Sequence, residues 1–207
     1  AVLVFGHRGA CGYLPENTMA SFELAFELGS DAIEFDVVMT SDAVPVILHD
    51  DDLRKTTTYQ GENYLVYNWT SQELSRLKAK ERYPHRTQSA SHDGEFSIPT
   101  LRQVLENRNF DGKHLIIEVK YGKQFQAQGL DIVAAVQAEI DSSDYQKRGM
   151  QITIECFEFG TLRQLKSAIS GPEFVFLSAP ETLPSGFTEL TDELLDEIAQ
   201  EFDGVSV

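Results

Sequence analysis

The sequence predicts an α/β protein built on a parallel sheet, and three observations carry that expectation. Short apolar runs alternate along the chain with segments whose apolar residues recur at helical spacing. Those runs lack the in-and-out alternation of a half-solvated sheet, so they read as strands covered on both faces. Polar residues then collect where successive strands end, at His7, Glu34, Asp36, His49, Glu118 and Lys120. A closed TIM (β/α)8-type barrel builds its working rim in that way, whereas an open doubly wound sheet concentrates its site at one switch point. The barrel is therefore the expected architecture.

The elements follow in order. Residues 2–6 (VLVFG) predict a first buried strand. Residues 18–28 predict a helix, because Met19, Phe22, Ala25 and Phe26 share a face, Asn17 or Thr18 can cap it and Gly29 can end it. Residues 32–38 and 44–48 are the second and third strands. A polar excursion over 51–99 comes next, with one short helix capped by Thr70 and Glu73. A segment that long is a functional loop or an inserted lobe. Thr100 and Gln103 form a capping box for a helix over 101–107, ahead of a fourth strand at 115–119. A helix over 130–140, a strand over 151–156, a helix capped at Thr161 with Gln164, and a strand over 174–177 continue the repeat. The last helix covers 190–202, and 204–207 begin a seventh strand. This predicts a single barrel domain over 1–207 with 51–99 as an insertion between strands three and four. A barrel of this kind takes about 250 residues, so a C-terminal truncation is expected, with the last strand or strands missing.

Charge narrows the function. With 33 acidic against 17 basic residues the net charge is −16, which argues against nucleic acid or an anionic membrane face as partner. No apolar run approaches the ~20 residues of a membrane span, and residues 1–6 lack a basic region and cleavage site. Two cysteines, Cys11 and Cys156, are too few for a disulfide framework and are expected as free thiols.

Glu34 and Asp36 lie two apart on a strand and project to one face, with Ile33, Phe35 and Val37 opposite. Two adjacent carboxylates on an apolar strand repel each other, and a divalent cation relieves that conflict. The plainer alternative is that both reach water or pair with arginines. Glu118 and Lys120 repeat the spacing on strand four, and alone they read as an ion pair. Together, three carboxylates suit one hard cation, Ca2+ or Mg2+, ligated through oxygen. His7 and His49 end strands one and three, where imidazoles titrating near neutrality are placed to act as acid and base. Arg8 and Lys120 offer fixed positive charge to phosphate oxygens. His85, His92 and His114 lack such context and are expected at the surface.

These residues, in this order, resemble the glycerophosphodiester phosphodiesterase family over nearly the whole chain. The resemblance rests on His7-Arg8-Gly9-Ala10 followed by Pro15-Glu16-Asn17-Thr18, on Glu34-x-Asp36, on His49-Asp50 and on Ile117-Glu118-Val119-Lys120. It implies a TIM barrel whose characteristic insertion is 51–99. It further implies His7 and His49 as the acid/base pair, Glu34, Asp36 and Glu118 as metal ligands, and Arg8 and Lys120 as phosphate holders. The implied reaction is metal-dependent hydrolysis of a small glycerophosphodiester to glycerol 3-phosphate and an alcohol. Two departures stand out. The family's strand-eight Trp-Thr-x-Asn-like segment is absent, and strand five reads Glu155-Cys156-Phe157-Glu158 where Gln-Ser-Phe is common, with Phe157 left to wall the glycerol pocket. The rival readings are a lysophospholipase D or sphingomyelinase-D-like phosphodiesterase, and a metal- or ligand-binding barrel without catalysis. Charge and the long insertion lean toward a periplasmic or secreted enzyme over a cytoplasmic one.

Overall fold

The computed structural model describes residues 2–207. In chain order the elements are β1 (Phe5–His7), α1 (Met19–Glu27), β2 (Ala32–Met39), β3 (Pro45–Ile47), α2 (Ser71–Leu74), α3 (Thr87–Ala90) and α4 (Leu101–Glu106). There follow β4 (His114–Val119), α5 (Gly122–Ala127), α6 (Ile132–Ser142), β5 (Gln151–Cys156), α7 (Phe159–Ala168), β6 (Glu173–Leu177), α8 (Asp192–Glu201) and β7 (Gly204–Ser206). One curled sheet runs β1-β2-β4-β5-β6-β7, every pair on that path parallel. It is the wall of an incomplete barrel, because β1 and β7 end the path unpaired with each other among the described residues.

Alternation along the strands sorts the side chains. Ile33, Phe35 and Val37 of β2, Leu115 and Ile117 of β4, and Ile152 and Ile154 of β5 are buried in the shared hydrophobic cluster. Glu34, Ile116, Glu118, Thr153, Glu155, Val175 and Leu177 instead line a cleft of about 530 Å³ on the inner face. Each fully buried large apolar side chain contributes about 1.5–3 kcal/mol. The tilted Phe22–Phe35 contact, 5.3 Å between ring centroids, joins α1 to β2 in this way.

The helix ends obey local chemistry. Thr18 and Ser21 form the capping box of α1, and Gly29 at φ +97° closes it with two reverse hydrogen bonds, Gly29 N–H to Phe26 and Ser30 N–H to Ala25. Thr70 with Glu73 and Thr100 with Gln103 cap α2 and α4 as the sequence predicts. Thr161 does not start a helix. α7 begins at Phe159 with Glu158 before it, and the Thr161 hydroxyl donates to the Glu158 carboxylate from one turn inside. The helix expected over 130–140 is displaced to α6, capped by Asp131.

Three further expectations are corrected. β3 pairs antiparallel with the end of β2, so the third strand is the return arm of a hairpin and not a barrel stave. The short link from Met39 to Pro45 cannot hold the dozen or more residues a parallel crossover needs. Val2, Leu3 and Val4, expected in a buried strand, are exposed beside the free flank of β1. His114, expected at the surface, opens β4 and faces the inner cleft, 2.8 Å from the Thr153 hydroxyl. The 51–99 excursion, for its part, sends Leu53, Val66, Leu74 and Ile98 into the same hydrophobic cluster as the strands. No helix among the described residues is long and apolar enough to cross a membrane.

Candidate active site

The site starts where β1 ends. Arg8 takes a left-handed conformation, φ +58°, and its amide donates to the Glu34 carbonyl at 2.7 Å. Its own carbonyl accepts from the Asn17 amide and the Ser21 hydroxyl. Gly9, at φ +85°, lets this turn lie against α1, since a Cβ there would stand 2.3 Å from Ser21 Oγ. The His-Arg-Gly order is thus a backbone requirement as well as a chemical one, and it aims Arg8 inward.

Arg8 Nη1 contacts Glu16 at 3.3 Å, and its Nε lies 3.6 Å from Asp36 Oδ2. The same Asp36 oxygen accepts from Asn17 Nδ2 at 3.0 Å. Asp36 therefore fulfils the arginine-pairing alternative at one oxygen. Glu34 takes a different course, with Oε2 3.4 Å from His7 Nε2 and without a hydrogen-bond partner. Glu118 Oε2 is likewise buried and unbonded, 3.4 Å from Lys120 Nζ.

Carboxylate oxygens of Glu34, Glu118 and Glu155 all lie within 4.8 Å of one another. Full charges at such spacing repel by roughly 4 kcal/mol per pair at an effective dielectric of about 20. Burial, and then the Asp36 charge, push both Glu34 and Glu118 well above the usual carboxylate range. The same causes raise Glu155 to about 7. A hard divalent cation fits this donor set, because it would satisfy the two orphaned oxygens and cancel the repulsion. From the sequence Glu155 stood only as a departure in the strand-five motif, with no place among the acids; alternation along β5 was the available signal, and its register opposite Glu118 is seen only in the structure.

His49 follows β3, its Nδ1 3.3 Å from Asp50 Oδ1. Asp50 is in turn held by Arg82 of the excursion, which also binds Glu16 at 2.9 Å. Burial works to raise Asp50, but the close contact with His49 and the hydrogen bond from Arg82 outweigh it and hold the carboxyl far below its ordinary value. His7 is two-thirds exposed on the rim, and burial of its inner edge, then the Arg8 charge, lower its imidazole. Phe157, partly exposed, lies on the wall of the cleft with His7, Glu34, Glu118 and Glu155. The hairpin geometry of β3 carries His49 back over β2, since the Leu48 amide donates to the Asp36 carbonyl at 3.1 Å.

A model of the glycerophosphoryl diester phosphodiesterase family matches residues 7–199. A glycerophosphodiester phosphodiesterase of Bacillus subtilis (strain 168) is 30% identical over 203 residues, which cover 95% of this chain and 65% of that protein. Another, from Bacillus altitudinis, is 41% identical over 103 residues, 50% of this chain and 38% of the relative. The chain therefore spans less than two thirds of the length of these relatives. Among solved structures, one from Silicibacter pomeroyi DSS-3, assigned by name to the glycerophosphoryl diester phosphodiesterases, superposes with a TM-score of 0.82 at 27% identity, covering 97% of this chain and 72% of that one. A phosphodiesterase of Oleispira antarctica, solved with its product sn-glycerol-3-phosphate, shares the fold with a TM-score of 0.73 at 24% identity, covering 100% and 84%.

Proposed function

This chain belongs to the glycerophosphoryl diester phosphodiesterase family, and from that membership we infer that its site hydrolyses small glycerophosphodiesters to glycerol 3-phosphate and an alcohol. The observation that carries the reading is the inward cluster of acids with two unbonded buried oxygens, flanked by His7, Arg8 and His49. Glu34, Asp36 and Glu118 would hold one divalent cation, Ca2+ or Mg2+. When bound, such an ion supplies charge neutralisation at the phosphoryl oxygens.

The remaining chemistry falls to the chain's own groups. Arg8 and Lys120 are assigned to the phosphate oxygens as fixed donors. His7, neutral over a wider acidic range because its proton affinity is lowered, takes the proton of the attacking oxygen, which is either water or the glycerol 2-hydroxyl, whose cyclic phosphate water then opens. His49 gives a proton to the departing alcohol oxygen, and Asp50, 3.3 Å from its Nδ1, orients the ring. Phe157 offers an apolar wall to the glycerol carbons.

The test uses glycerophosphocholine and glycerophosphoethanolamine, with lysophosphatidylcholine as the competing substrate class. Turnover of the first two, lost to a chelator and restored by Ca2+ or Mg2+, is the expected result. His49→Ala should lower turnover by at least ~10²-fold, the usual contribution of a positioned acid. Near-normal turnover in that variant removes His49 from the mechanism, and preference for lysophosphatidylcholine removes the substrate assignment.

A further inference from the structure

The sequence draws the cation's donors from β2 and β4, but the geometry points to a third strand. We infer that Glu155 of β5 is a direct oxygen donor to the cation, an inference that rests on the cation reading above. Glu155 is the register partner of Glu118, and both line the inner cleft. Its carboxylate oxygen meets those of Glu34 and Glu118 within 4.8 Å. Both of those neighbours are more than nine-tenths buried, and each aims an oxygen without a hydrogen-bond partner into the same space.

The arrangement has a cost that only a ligand relieves. Glu34 has His7 beside it and Glu118 has Lys120, but Glu155 forms no ion pair among the described residues. A carboxylate placed for structure alone would be expected to take a basic or hydrogen-bonding partner, since ionising a partly buried acid that faces two other acids is otherwise unfavourable. Asp36, meanwhile, has one oxygen turned to Asn17 and Arg8. The donor set is therefore shifted toward β5 and Phe157, two residues on from Glu155 along the same wall. Three convergent carboxylates also exceed the one or two that typically hold Mg2+ and fall within the habit of Ca2+.

Cation binding and stability, and not turnover, test this. Chelator-stripped protein is titrated calorimetrically with Ca2+ and, separately, with Mg2+, using the 207-residue chain, Glu155→Gln and Glu118→Gln. Glu155→Gln should weaken binding at least about tenfold, because even outer partners of a metal ligand are worth 10–100-fold. In chelator the same variant should melt above the unsubstituted chain, since a partly buried carboxyl without an ion-pair partner is replaced by a neutral amide. With cation added the order should reverse. Binding by Glu155→Gln within twofold of the unsubstituted chain, while Glu118→Gln is weakened, overturns the inference and leaves the cation reading standing. Absence of binding of either ion by the unsubstituted chain overturns both. Should Glu155→Gln fail to fold, Glu155→Asp keeps the charge but shortens its reach, and unweakened binding by that variant is equally fatal.

Discussion

Arg82→Met isolates the contact that ties the 51–99 excursion to the rim carrying Asp50 and His49. Arg82 is 16% exposed and joins Glu16, whose side chain is 3% exposed, to Asp50, which supports His49. Methionine keeps much of the volume and removes the charge. Breaking a buried ion pair by deleting one partner costs about 3–5 kcal/mol, because the other charge is left without compensation. Two features reduce that figure here. Glu16 keeps Arg8 as a partner at 3.3 Å, and Asp50 retains some access to water and its contact with His49. The expected loss is about 2–4 kcal/mol, or roughly 5–15 °C in melting temperature for a chain of this size. Urea unfolding measures it directly, and m should not change.

The pH dependence gives the sign of the effect. Burial opposes ionisation of both Glu16 and Asp50, but Arg82 with Arg8 in one case, and His49 with Arg82 in the other, hold the folded carboxyls below their ordinary values. Groups lowered by folding contribute fully above their unfolded values, about 4.3 for Glu and 3.9 for Asp. That contribution is lost as pH falls through the lower, folded values. The gap between the unsubstituted chain and Arg82→Met should therefore be widest above about pH 5 and close toward acid. A loss below about 0.5 kcal/mol, the range of ordinary surface substitutions, or a gap that widens toward acid, would refute the reasoning.

Two further outcomes test the local architecture. Gly9→Ala should cost about 2–4 kcal/mol in urea unfolding, combining left-handed strain at φ +85° with a Cβ 2.3 Å from Ser21 Oγ; a neutral result would mean the turn after His7 is not packed as described. Thr100→Ala should cost about 1 kcal/mol by removing the cap of α4, with Thr100→Ser close to the unsubstituted chain in the same assay.

Strand and helix positions were legible because they follow from near neighbours. The apolar run Ile33, Phe35, Val37 and the capping pairs Thr70–Glu73 and Thr100–Gln103 are local patterns, and each stands where the residues predict it. The direction of β3 was also legible in the shortness of the link before it, but the regular βα repeat concealed it. By itself, then, the sequence determined the parallel strands, the strand-end acids and histidines, and the family they resemble. Which acids meet was decided only by tertiary structure. Glu34, Glu118 and Glu155 converge through the strand order β2-β4-β5 and its register, and Arg82 reaches Glu16 and Asp50 from 66 and 32 residues away. Hydrophobic periodicity and capping act over a few residues, whereas the position of one carboxylate against another depends on how every intervening element packs.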